Sequence, residues 1–139
     1  MENNEKQNNN KAAVDRLSKQ ALQKILSGQV KEDSTCFIKF YSNTCHMCHS
    51  LRQHYVDAVY EVQDKLRKDG RKDVHFFAFN IADYVEAEKI LGFEGVPTII
   101  MVRTSRNQPK ITVLQDPTEP HKEMWYHPRD IKSFFNKEI

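Results

Sequence analysis

Long apolar runs are missing from this chain of 139 residues. No stretch approaches the roughly 18 residues that a bilayer-crossing helix needs, so no membrane span is expected. An excess of one charge is also missing: 21 basic against 19 acidic side chains leave a formal +2. That is too little for a phosphate-binding surface, and nucleic acid is not an expected partner. Cysteine is scarce, at three residues. A secreted miniprotein stapled by disulfides is thereby excluded, and the thiols point instead to redox or metal chemistry. The opening MENNEKQNNN lacks the apolar stretch of a secretory leader. The cytosol is therefore the expected location, although a mature domain excised from the secretory pathway or the periplasm would read the same. No internal repeat and no second composition regime is present, and the length is that of one domain.

What the chain does have is a core: 39% of its residues are hydrophobic and 10% aromatic. Residues 1–10 are almost wholly polar and are expected to form a disordered lead-in, leaving 11–139 as the domain. From Lys11, the spacing of Val14, Leu17, Ala21, Leu22, Ile25 and Leu26 predicts an amphipathic helix stopped at Gly28. Thr35 to Tyr41 is rich in β-formers and predicts a central strand. A long helix is predicted from Cys45 to Lys68, its buried stripe being Cys48, Leu51, Tyr55, Ala58, Val59, Val62 and Leu66. Val74 to Ile81 reads as a strand covered on both faces. Asp83 and Glu86 offer a capping-box-like start to a short helix that ends at Gly92. Ile99 to Val102 and Ile111 to Leu114 read as a hairpin around a turn at Thr104 to Pro109. Met124, Trp125 and Tyr126 are expected as a further short strand or a cover over the core, and Pro128 opens a last helix carrying Ile131, Phe134, Phe135 and Ile139. The order is α/β, with a mixed sheet of four to five strands flanked by helices.

Cys45 and Cys48 fall where a strand turns into a helix. Unpaired amides and the macrodipole at a helix start favour negative charge, and the thiolate is the nucleophile of disulfide exchange. Cys45 is placed to attack a disulfide. Cys48, one turn later on the same face, is placed to resolve the mixed disulfide, and its position on the buried stripe makes it the less accessible thiol.

The run Phe37-Ile38-Lys39-Phe40-Tyr41-Ser42-Asn43-Thr44-Cys45-His46-Met47-Cys48, together with Gly95-Val96-Pro97-Thr98, resembles the active-site strand, loop and proline motif of thioredoxins and protein disulfide isomerase domains. The resemblance runs from Thr35 through the C-terminal helix. It implies a thioredoxin-like fold and a thiol–disulfide oxidoreductase acting on disulfides or dithiols of other proteins. It implies no bound cofactor, because an external reductase or oxidant regenerates the pair. It further implies a cis bond at Val96-Pro97, with the backbone there pairing with the substrate chain.

This chain departs from the family pattern at four positions. Thr44 replaces the usual Trp, and His46 and Met47 lie between the cysteines. A protonated His46 would stabilise the Cys45 thiolate and raise the reduction potential. Lys39 stands where the family tends to bury an acid that accepts a proton from the resolving thiol. A buried Lys can exchange protons, but the preferred expectation is that its ammonium reaches a strand end or a carboxylate.

Other readings of the pair stand beside this one. Two packed core cysteines would share the same spacing. Cys45-His46-Met47-Cys48-His49 matches the attachment signature of a c-type haem, and Cys45, Cys48, His49 and His54 have the ligand types of a zinc site. The strand before the motif and the proline after it favour redox use without metal. Cys36 is expected to be packed and inert, and His121 and His127 to be solvated. An alternative in another class keeps the fold but not the redox activity, as an adaptor that holds an extended peptide at Val96 and Pro97.

Overall fold

In the computed structural model, residues 14–30, 32–104 and 108–139 are described. The lead-in at 1–10 and residues 105–107 of the predicted hairpin turn lie outside them. Five strands form one sheet in the order β1 (Val14–Arg16), β3 (Val74–Asn80), β2 (Ser34–Tyr41), β4 (Thr98–Thr104), β5 (Lys110–Val113). β1 and β2 run parallel to β3, whereas β4 is antiparallel to both β2 and β5.

β2 is the centre of the sheet, and its residues from Ser34 to Phe40 are all buried. Side chains alternate across a strand, so the two faces of β2 feed two cores. Phe37 joins Phe76, Ile99 and Met101 beneath α2 (His46–Lys68) and α4 (Pro128–Glu138). Cys36, Ile38 and Phe40 join Phe79, Ile100 and Val102 beneath α1 (Lys19–Leu26) and α3 (Ala87–Leu91). Phe37 is fully buried among Phe76, Phe134 and Phe135, with ring centroids 5.3, 5.7 and 4.8 Å away. Burying such a ring contributes about 1.5–3 kcal/mol. The buried residues of α2 are Cys48, Leu51, Tyr55, Ala58, Val59, Val62 and Leu66, the stripe that the helical spacing marks out.

Three local expectations are corrected. Val14 to Arg16 is a strand, not the start of a helix; it pairs with Phe76 to Ala78 of β3. Ser18 then caps α1, its Oγ accepting from the Ala21 N–H at 3.1 Å. Asp83 does not cap α3. It lies in a single 3-10 turn (Ile81–Asp83), which Asn80 caps through the Ala82 N–H, and its carboxylate takes a hydrogen bond from Arg16 at 2.8 Å. α3 starts later, without a side-chain cap, and ends at Gly92 with φ 77°, a left-handed conformation that suits glycine. His127 is not free in solvent: its Nε2–H donates to the Glu119 carbonyl at 2.7 Å, and Asp130 accepts from its backbone N–H at the start of α4.

The segment before α4 covers the core. His121 and Trp125 form an isolated antiparallel bridge, while Met124 and Tyr126 are buried against the α2 and α4 side. No helix among the described residues is long and apolar enough to cross a membrane.

Candidate active site

The site forms at the carboxyl end of β2. Tyr41 leads into residues 42–44, a tight connection held by its own side chains. Ser42 Oγ accepts from the Thr44 N–H at 3.2 Å and lies 3.0 Å from Thr44 Oγ1, and the Ser42 carbonyl accepts from the Cys45 N–H at 3.2 Å. His49, one turn into α2, donates from Nε2 to the Asn43 carbonyl at 2.8 Å. A carbonyl only accepts, so the hydrogen resides on Nε2.

Cys45 is the N-cap residue of α2, in an extended conformation. Its Sγ accepts from the Cys48 N–H at 3.1 Å, one of the amides that a helix start leaves without a backbone partner. Cys45 and Cys48 are joined as a disulfide, their Cα atoms 5.2 Å apart. Cys45 is half-buried, whereas Cys48 is 3% exposed. Of the two residues, Cys45 is the one that reaches the surface.

Antiparallel pairing brings the remote Gly95-Val96-Pro97-Thr98 stretch to this spot. Phe40 pairs with Thr98, so the bend entering β4 falls beside the loop leaving β2. The Val96-Pro97 peptide bond is cis. The Val96 carbonyl oxygen lies 3.6 Å from Cys45 Sγ. Thr98 Oγ1 donates to the Gly95 carbonyl at 2.8 Å, and the Glu88 carboxylate of α3 accepts the Gly95 N–H, so the bend is tied on both sides. Gly95 has φ 78°, where a side chain would be strained.

Lys39 lies on the α2-facing side of β2 and is 4% exposed. Among the described residues its ammonium pairs with no carboxylate, contrary to the sequence expectation. Instead Nζ sits 5.0 Å from the centre of the Tyr55 ring and 5.8 Å from that of Tyr41. Attraction to ring faces offsets part of the cost of burying the charge. Burial, and secondarily the charge of Arg52, lower the Lys39 pKa to about 8. The Tyr55 phenol donates to the Phe77 carbonyl at 3.1 Å, and burial holds its pKa above the ordinary range.

The remaining sequence candidates are dispersed. His46 is exposed at the first position of α2, and its side chain makes no hydrogen bond among the described residues. Cys36 is buried on the opposite face of β2, with Sγ 3.8 Å from Ser34 Oγ; desolvation raises its thiol pKa. Among the described residues no group of three or more His, Cys, Asp or Glu could hold a metal ion. Arg52 was absent from the sequence candidates, yet it lines the same cavity as Cys48 and Lys39. Its position four residues after Cys48, hence on the same helical face, was the available signal.

The family model named Thioredoxin matches residues 13–120. The chain belongs to the thioredoxin family. A comparison with curated proteins finds no match. Among solved structures, the J-Trx1 fragment of ERdj5 superposes with a TM-score of 0.60 at 16% identity, covering 90% of this chain and 49% of that one. The Malassezia sympodialis thioredoxin Mala s 13 gives 0.59 at 14% identity, covering 91% and 90%. The zinc-bound form of human ERp44 gives 0.61 at 10% identity, covering 90% and 31%. The chain thus spans about half the length of the ERdj5 fragment and a third of ERp44. At these identities the superpositions establish the thioredoxin fold.

Proposed function

We propose that this thioredoxin domain is a thiol–disulfide oxidoreductase that exchanges disulfides with other proteins through Cys45 and Cys48. The observation that carries the reading is the position of Cys45 Sγ. It accepts the Cys48 amide at 3.1 Å and lies 3.6 Å from the Val96 carbonyl at the Pro97 bend, on a residue that is only half-buried.

In the reduced form, the amide that touches Cys45 Sγ stabilises a thiolate there. The thiolate attacks one sulfur of a substrate disulfide. A new S–S bond forms to Cys45, the substrate S–S bond breaks, and the departing thiolate takes a proton from water. Cys48 then loses its proton and attacks Cys45 Sγ, forming the intramolecular disulfide and releasing the second substrate thiol. Two electrons pass from the dithiol to the substrate, and an external dithiol returns them. Lys39 supports the second step: a buried ammonium beside Cys48 favours its thiolate electrostatically, in place of the acid that accepts the proton elsewhere in the family. In this reading the backbone of Val96 pairs with an extended substrate chain across the bend.

The test is insulin reduction with dithiothreitol as electron donor. Turnover lost in Cys45→Ser supports the enzyme, and full activity in that variant overturns it. One observation favours a second reading, a redox-inactive module that binds extended peptides at Val96 and Pro97: among the described residues no carboxylate lines the cavity beside Cys48 to relay a proton. Peptide binding by the unmodified protein without turnover would establish that alternative.

A further inference from the structure

A cavity of about 390 Å³ opens beside Cys48, between strands β1, β2 and β3 and the first turns of α2. Among the described residues four of its lining side chains are basic, Arg16, Lys39, His49 and Arg52, and none is acidic. Two of the four are already engaged: Arg16 with Asp83 at 2.8 Å, His49 with Asn43 at 2.8 Å. The other two have no ion-pair or hydrogen-bond partner among the described residues. Arg52 is exposed at the rim, whereas Lys39 is 4% exposed and lines the interior.

An ammonium buried without a counter-charge, with a guanidinium close enough to repel it, is costly unless an anion completes the arrangement. The rings of Tyr41 and Tyr55 attract the ammonium but leave the site with net positive charge. Val14, Val56 and Ala78 give the wall an apolar patch, and Ser42 and Asn43 add neutral polar groups at the loop end. Its volume falls within the range of small-molecule sites, about 300–1,000 Å³.

We propose that this cavity binds a small organic carboxylate, its head group held between Lys39 and Arg52 and its apolar body against the wall, next to the buried sulfur of Cys48. The planar fork of Arg52 suits the two oxygens of a carboxylate, and Lys39 supplies a point charge from below. A carboxylate with an apolar body uses both halves of the lining. Inorganic phosphate uses only the charged half.

The probe is benzoate, titrated at constant ionic strength into the full chain in its disulfide form and followed by amide chemical shifts. The expected result is saturable movement at Lys39, Cys48 and Arg52, with affinity at least tenfold weaker in Lys39→Met and in Arg52→Gln. The Arg52 side chain is exposed, so that variant keeps the site testable where Lys39→Met perturbs folding. Absence of saturable binding, affinity unchanged in Arg52→Gln, or phosphate binding as tightly as benzoate overturns the proposal. Binding is read on the oxidised protein. Its failure is therefore distinct from failure of the exchange assay, and a protein inactive toward insulin can still bind benzoate.

Discussion

Lys39 Nζ stands 5.0 Å from the centre of the Tyr55 ring, on the face of β2 that α2 covers. The ring holds the charge by its electron-rich face, while the phenol oxygen is turned away to the Phe77 carbonyl. A cation thus occupies the depth of the fold directly beneath the active helix.

This burial makes stability depend on alkaline pH. The Lys39 pKa falls from 10.5 to about 8 on folding, so between those values the unfolded chain binds the extra proton. Stability therefore rises as pH increases from about 8 toward 10.5, and is lost again as pH falls back through 8. A Lys39→Met variant removes this contribution. It is expected to be more stable than the parent at pH 7 by about 1–3 kcal/mol, with the gap closing above pH 10. Urea denaturation at a series of pH values measures the gap; a constant difference across the range contradicts the assignment.

The same variant alters chemistry. Without the ammonium nearby, the Cys48 thiol is harder to ionise, so resolution of the mixed disulfide slows while attack by Cys45 is spared. Stopped-flow measurement of the two steps separates them. Equal slowing of both would instead indicate a general disturbance of the site.

Removing the resolving sulfur has a sharper outcome. In Cys48→Ser, the half-buried Cys45 keeps its thiol, so a disulfide-bearing protein substrate accumulates as a covalent adduct that dithiothreitol releases. Mass spectrometry under non-reducing conditions detects it. No adduct from Cys48→Ser, or an adduct persisting in a Cys45→Ser/Cys48→Ser double variant, contradicts attack by Cys45.

Cys36 offers a control. It is the free cysteine of the oxidised chain, buried on the face away from the site and with its thiol pushed up by desolvation. Native protein is expected to resist alkylation by iodoacetamide at pH 8 for hours and to take up one equivalent at once in denaturant. Rapid labelling of the native form would show that this face opens readily.

Packing at the sheet centre predicts the largest loss. Phe37 has no exposed surface and contacts three other rings, so Phe37→Ala is expected to cost about 3–5 kcal/mol. The ion pair between Arg16 and Asp83 is exposed on both sides, and Arg16→Ala is expected to change stability by under about 1 kcal/mol. Thermal unfolding of the two variants ranks them.

The long helix was legible residue by residue, because seven buried positions repeat at helical spacing and no competing period runs through them. β1 was not. Val14 and Leu17 fit a helical stripe, and what makes residues 14–16 a strand is their pairing with β3, a partner some sixty residues away that local pattern cannot express. Asp83 and Glu86 have the right spacing for a capping box, but Arg16 takes the Asp83 carboxylate and Asn80 makes the cap. The Cys pair and the Val96-Pro97 bend were visible as motifs. The surroundings of Lys39 were not, since they depend on packing α2, with Arg52 and Tyr55, over the end of β2 at Tyr41.

The pairing of Phe40 with Thr98 carries a cost for evolution of the distal hairpin. Side chains of β4 alternate between two cores, so sliding it one residue along β2 would shift the proline corner by about 3.3 Å and send each side chain into the opposite core. Substitutions at Ile100 or Val102 that loosen that alignment would therefore disarm the sulfur chemistry from a distance, without touching either cysteine.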